Sequence, residues 1–238
     1  MKVNELSSYG KAFDHMPLEA QILQIKVMFS ELIKKYGLFG LIQFMRKVIK
    51  TQNQLKKKYG QEMNTRFADV PASAIIEFYM MTSMYMVLSE FEDKDNAFDF
   101  VKGIFQKIGP TAHETLYNLK DLLKCKGDVY TNFCELDHSM FENSAKKGFY
   151  EIAEIRETDD LQYLRLTRCL NVDALSALGS PELARLGCIA DTAGYAPDAM
   201  GDKVNLDFRR PCTIASGSDK CEFYYYRKGH APSNMKTL

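Results

Sequence analysis

FYEIAEIRETDDLQYLRLTRCL, residues 149–170, is where the chain changes character. Gly148 closes a helical pattern. Two runs rich in strand-forming residues then flank Asp159-Asp160, the signature of a β-hairpin over 149–157 and 161–170. Downstream, Asn171 can cap a short helix ending at Gly179. Ser180-Pro181 opens the next, with serine as N-cap and proline at the first helical position. Val204, Leu206 and Phe208 alternate with Lys203, Asn205 and Asp207, so 203–210 reads as a half-buried strand. A turn at Gly217-Ser218-Asp219 leads into CEFYYYRK (221–228), a last strand. The expected order for 148–230 is ββ–αα–ββ.

Upstream, the periodicity is helical. Pro17 suits a first helical turn, and Ile22, Ile25, Phe29, Leu32 and Ile33 follow at helical spacing up to Gly37. Leu38, Leu41, Ile42, Met45, Val48, Ile49, Gln52, Leu55 and Tyr59 continue at steps of three and four, closing at Gly60. Pro71 opens a third helix containing AIIEFYMMTSMYMVLSEF (74–91). Only twelve residues separate Glu77 from Glu90, whereas a membrane span needs roughly 20 apolar residues, so a buried bundle helix is expected. Phe98, Val101, Phe105 and Ile108 mark a fourth helix, stopped by Gly109-Pro110. Thr111-Ala112-His113-Glu114 reads as a capping box, with His113 a structural residue in the first turn of a fifth helix through Leu116, Leu119 and Leu123. A sixth helix around Phe133, Leu136 and Met140 is the reading of 125–147.

The fold class implied is α+β: an N-terminal helical bundle packed on a four-stranded antiparallel sheet. The helical region covers 1–147, with a basic helical extension at about 17–60, and the ββααββ core covers 148–230. The two are expected to form one integrated domain.

Composition narrows function only by exclusion. With 238 residues, 46% of them hydrophobic, the chain can bury a sizeable core. Lys and Arg number 31 and so do Asp and Glu, a formal charge of zero, which argues against an obligate nucleic-acid binder. The opening MKVNELSSYGKAFDH lacks the apolar run of a secretory leader, so a cytoplasmic chain with reduced thiols is expected. Residues 32–61 hold eight basic side chains and no acidic one. They read as a solvated helix face, offset by the acidic segment Glu90 to Asp99. Neither nucleic acid nor membrane is therefore expected as a partner, and a homo-oligomer is left open.

Six cysteines stand at 125, 134, 169, 188, 212 and 221, with no CxxC pair. Cys134 and His138 are four apart, but structural zinc sites show two close ligand pairs, so no metal is expected. Cys169 ends a strand just before a helix start, with Arg165 and Arg168 nearby. A helix N-terminus and neighbouring cations both favour the reactive thiolate; a small buried hydrophobe is the other reading. Cys188 and Asp191 share a helix face. Arg210 has the parity of Val204, Leu206 and Phe208 and points inward, where its fork suits a carboxylate. That carboxylate is either Asp191, in a structural pair, or a substrate's.

Residues 168–223 resemble the L-2-amino-thiazoline-4-carboxylic acid hydrolase family. The matching elements are Arg168-Cys169, Pro181-Glu182-Leu183, Cys188-x-x-Asp191 and Arg210-x-x-Thr213-x-x-x-Gly217-x-x-x-Cys221-x-Phe223. The closing Gly217 to Phe223 element is also similar to vinyl-reductase-type small-molecule-binding domains, though Thr213 stands where that family has a cysteine. The first resemblance implies a hydrolase without a cofactor that opens a small cyclic amidine to an N-carbamoyl-cysteine-like product. It implies Cys169 and Asp191 as catalytic residues, with Arg210, Arg168, Cys188 and Thr213 binding substrate. Asp191 would pair with the amidinium, and Arg210 or Arg168 would clamp the substrate carboxylate. The nucleophile would be the Cys169 thiolate or a water deprotonated by Asp191. The second resemblance implies a ligand-binding or sensory module without catalysis.

Overall fold

The computed structural model describes residues 1–13 and 18–238; the expected role of Pro17 lies outside them. Helix α1 (Leu18–Arg66) breaks at Gly37, which adopts φ 69°, a left-handed value that glycine takes without steric cost. The helix does not close at Gly60. It runs on to Arg66 because Met63, one turn further, is fully buried, as is Phe67 just beyond. Pro71 precedes α2 (Ala72–Phe91), whose Ile75, Phe78, Tyr79, Tyr85, Val87 and Leu88 are buried. Among the described residues α2 alone is long and apolar enough to cross a membrane, and 56% of its apolar window is buried inside the fold.

Helix α3 (Lys94–Leu116) starts at Asp93, whose carboxylate accepts from Asn96 N at 2.9 Å. It passes straight through Gly109-Pro110, so neither the expected stop nor the capping box at Thr111 forms. An interior proline costs a backbone hydrogen bond, but here tertiary packing decides. Gly109 lies against the carbonyl of Ala190, where a Cβ would come within 2.6 Å. A left-handed Asn118 (φ 49°) separates α3 from the one-turn α4 (Leu119–Leu122). Asp128 then caps α5 (Val129–Lys146) through Thr131 N at 2.9 Å.

Strands β1 (Tyr150–Thr158) and β2 (Leu161–Cys169) form the expected hairpin, with Tyr150 opposite Cys169 and Thr158 opposite Leu161. Helix α6 (Leu170–Ala177) follows with no intervening loop, so Cys169 rather than Asn171 occupies its N-cap. Residues Pro181–Ala184 form a 3-10 turn that leads into α7 (Arg185–Gly194), and the Ser180 side chain makes no capping bond. Strand β3 spans only Leu206–Arg209, because Asp202–Val204 coil into a 3-10 turn and Asn205 is left-handed (φ 59°). Strand β4 (Cys221–Arg227) completes an antiparallel sheet of order β1-β2-β4-β3.

Two apolar clusters hold these layers. One joins α1, α2 and α3 to Phe149, Leu170, Ala174, Leu175, Leu183 and Leu186. The other packs α5 residues such as Phe133, Leu136 and Met140 on the sheet residues Leu164, Leu166, Phe208, Phe223 and Tyr225. Tyr150 touches both. The change of secondary structure at Gly148 is therefore not a packing boundary, since residues beyond it complete the helical core.

Candidate functional site

Arg210 follows the short strand β3 and is completely buried, its guanidinium lying 5.5 and 5.4 Å from the Phe208 and Phe223 ring centres. A buried guanidinium requires compensation, and α7 supplies it. Nη1 donates to Asp191 Oδ2 at 2.8 Å, while Nη2 donates to Thr192 Oγ1 at 3.0 Å and to the Cys188 carbonyl. Both terminal nitrogens are thus occupied by one helix, which the guanidinium ties to the edge of the sheet.

The other oxygen of Asp191, Oδ1, lies 3.3 Å from His113 Nε2 on α3. The opposite ring nitrogen, Nδ1, lies 3.0 Å from the Gly109 carbonyl. Burial disfavours the Asp191 charge, but the His113 hydrogen bond and the Arg210 guanidinium outweigh it and hold the carboxyl below the ordinary range. One-third of the Asp191 side chain remains exposed, against none of Arg210. Asp191 is therefore the charged, partly exposed centre of the chain His113–Asp191–Arg210.

Glycine makes this approach possible. A Cβ at Gly194, one turn beyond Asp191, would fall 2.3 Å from the His113 ring, and Gly109 provides the matching recess for α7 on the other side.

Cys169, at the end of β2, lies near this group. Its thiol interacts electrostatically with Cys188 and Asp191. Burial pushes it up to about 11, against the opposing pull of the Val172 and Asn171 amides at the start of α6. The cations next to it in sequence do not help. Arg165 pairs with Glu154 at 3.1 Å, and Arg168 donates to Asp173 at 2.7 Å and to the Gly148 carbonyl. Cys169 is consequently a thiol in the resting protein, not the thiolate that its sequence neighbours suggest.

Cys188 is likewise pushed up by burial, opposed by Arg210 and by a hydrogen bond with the Thr213 hydroxyl. Cys221 accepts from Ile214 N at 3.2 Å, and burial raises its thiol to about 12. Tyr150 sits among them. Burial raises its hydroxyl far above the usual range, and Cys169, Asp191, Cys188 and Cys221 all lie within its electrostatic reach.

Five of the residues singled out in the sequence therefore converge: Cys169, Cys188, Asp191, Arg210 and Thr213. Arg168 instead joins β2 to α6 through Asp173. His113 and Tyr150 belong to the cluster without having been singled out for it.

A model of the L-2-amino-thiazoline-4-carboxylic acid hydrolase family matches residues 73–225. The chain belongs to that family. No curated protein and no solved structure matches it significantly. The family match runs from α2 into β4 and takes in every residue of the His113–Asp191–Arg210 chain and all the converging thiols. Helix α1 lies outside it.

Cys134 and His138 line a separate cleft of about 390 Å³ with Tyr130, Glu135, Glu157 and Gln162. His138 is held by Glu157 at 2.7 Å and Glu142 at 3.5 Å, and Cys134 is a half-buried thiol hydrogen-bonded with Tyr130. Among the described residues no group of three or more His, Cys, Asp and Glu is placed to hold a metal ion. Behind the cleft, Asp137 is fully buried and accepts from Tyr117 at 2.5 Å and Gln162 at 2.8 Å, and the Tyr117 and Tyr195 hydroxyls lie 2.5 Å apart. Burial raises the Asp137 carboxyl to about 7.

Proposed function

We propose that the protein hydrolyses a small cyclic amidine of the 2-amino-thiazoline-4-carboxylate type, with Cys169 as nucleophile and Asp191 as the amidinium partner. The observation that carries this reading is a Cys169 thiol within electrostatic reach of a charged Asp191 whose side chain is one-third exposed. A carboxylate held at both oxygens on a partly exposed side chain is pre-oriented for a planar N–C–N cation.

A thiol raised by burial needs a base, and a neutral cyclic amidine is one. Transfer of the Cys169 proton to the amidine gives a thiolate and an amidinium together. Asp191 stabilises the cation, and the protonated C2 is the better electrophile. The Cys169 sulfur then bonds to C2, and the ring C2–S bond breaks with its electron pair leaving on the substrate sulfur. Water adds to the resulting isothiouronium carbon, and one of its protons passes to the substrate thiolate. The hydroxyl proton returns to Cys169 as the Cys169–carbon bond breaks, which leaves a urea. The sum is substrate plus water to N-carbamoyl-cysteine, with the enzyme unchanged.

Arg210 is a positioning residue in this scheme. Its side chain is fully buried and both terminal nitrogens are engaged by α7, so it acts by orienting Asp191. His113 fixes the other carboxylate oxygen, and the Thr213 hydroxyl holds Cys188.

Incubation with 2-amino-thiazoline-4-carboxylate and titration of new thiol tests the reading. Catalytic appearance of free thiol with N-carbamoyl-cysteine is expected, abolished in Cys169→Ala and Asp191→Asn. Full activity in Cys169→Ala would eliminate the covalent route. Saturable binding of the compound with no new thiol would instead identify a binding module.

A further inference from the structure

Helix α1 precedes the family match, and nothing in the site described above uses its outer face. Large apolar side chains are nevertheless exposed there: Phe39 at 82%, Leu38 at 62%, Ile49 at 52% and Ile42 at 45%. Leu32, Leu41, Phe44, Val48 and Leu55 face the bundle, so the exposed set is a second apolar stripe, not a misplaced core.

The basic residues share that stripe. At about 100° per residue, Leu38, Ile42, Ile49 and Lys56 fall within a narrow band, with Phe39, Arg46, Lys50 and Lys57 beside it. Lys35 and Lys47 instead pair with Glu92 at 2.9 Å and Glu90 at 2.8 Å. No ion pair engages Arg46, Lys50, Lys56 or Lys57 among the described residues. The face is thus apolar and cationic together, with no acidic residue anywhere in 32–61.

We propose that this face of α1 docks on an anionic lipid surface. Phosphates attract the unpaired cations, and the acyl boundary takes the exposed Leu, Ile and Phe side chains, the combination that holds a helix in the plane of an interface. A nucleic acid satisfies the charge but leaves the aliphatic side chains without a partner. A second copy of the chain satisfies the apolar stripe but sets its own cations against these.

The test is flotation of the intact protein with phosphatidylcholine vesicles, either pure or containing about one-third phosphatidylglycerol. Binding to the anionic vesicles, lost in pure phosphatidylcholine and in high salt, is expected. Phe39→Ser with Ile42→Ser, and separately Arg46→Gln with Lys50→Gln and Lys57→Gln, should each weaken it at least about tenfold. Circular dichroism checks that both variants fold. Absence of wild-type binding, or equal binding by folded variants, overturns the proposal. So does a dimer in sedimentation velocity that Phe39→Ser with Ile42→Ser dissociates, which assigns the face to a second copy. Retention on single-stranded DNA that the charge variant alone loses would assign it to nucleic acid.

Discussion

His113 on α3 lies 3.3 Å from Asp191 on α7, and the contact exists because Gly194 carries no side chain where the two helices cross. Gly194→Ala is therefore expected to push the imidazole off the carboxylate. Overpacking of this kind costs about 1–3 kcal/mol in stability. Misplacing a catalytic group by an ångström costs roughly 100-fold in rate. The urea midpoint and kcat/KM for thiol release, measured side by side, should show a modest loss of the first and a large loss of the second. Unchanged turnover would remove His113 from the positioning of Asp191.

Arg210 and Asp191 form a pair in which only the Asp191 side chain meets solvent. Removing the carboxylate strands a buried guanidinium, and removing the guanidinium takes a donor from Asp191, the Cys188 carbonyl and Thr192 at once, leaving Asp191 only His113 and the Cys188 carbonyl only the Thr192 hydroxyl among side chains. Arg210→Ala should therefore destabilise the fold by roughly 3–5 kcal/mol, and Arg210→Met by less, because an apolar side chain of similar volume fills the gap between Phe208 and Phe223. Chemical denaturation of the two variants checks the order. Restored stability in Arg210→Met without restored turnover separates the packing role of Arg210 from its hold on Asp191.

The site was only partly visible from residue order. Parity alone turned Arg210 inward, because a side-chain period of two is a local property, and the Cys188-x-x-Asp191 spacing put both on one helical face. His113 was hidden because Gly109-Pro110 carries every local mark of a helix stop, and a capping box fitted the residues after it. The glycine is there to let α7 approach, a long-range reason that no local pattern records. The same applies to Cys169: the arginines beside it in sequence are bound to Glu154 and Asp173, and burial, which only tertiary structure supplies, sets its proton affinity.

Alkylation should report that affinity directly. With the Cys169 thiol raised to about 11, its modification by iodoacetamide in the free protein should be slow at neutral pH. The rate should climb about tenfold per pH unit below that value, in step with the thiolate fraction. Peptide mass spectrometry resolves Cys169 from the other five thiols. Rapid modification at pH 7 would mean a preformed thiolate and would remove the need for proton transfer to the substrate.

Asp137 should make stability depend on pH in the opposite sense to an ordinary surface carboxylate. Its folded value of about 7 lies above the ordinary carboxyl value of 3.8. Its contribution is therefore fully present below the unfolded value and is lost as pH rises through the folded one. Between about pH 4 and pH 7 the loss is roughly 1.4 kcal/mol per pH unit from this group. Comparing denaturation of the wild type with Asp137→Asn across that window isolates the effect, since the variant has no carboxyl to titrate at this position. Parallel curves for the two proteins would show that Asp137 stays ionised throughout.

Strand β3 has four residues, lies at the sheet edge and, among the described residues, pairs only with β4, yet it leads directly into the guanidinium that fixes Asp191. Such a strand can detach in a local opening well below the free energy of global unfolding. The bundle of α1, α2 and α3 and the β1–β2 hairpin would then persist while the carboxylate lost its orientation. Turnover would in that case vanish at lower denaturant or lower temperature than bulk helicity, making catalytic competence the more sensitive gauge of native-state integrity.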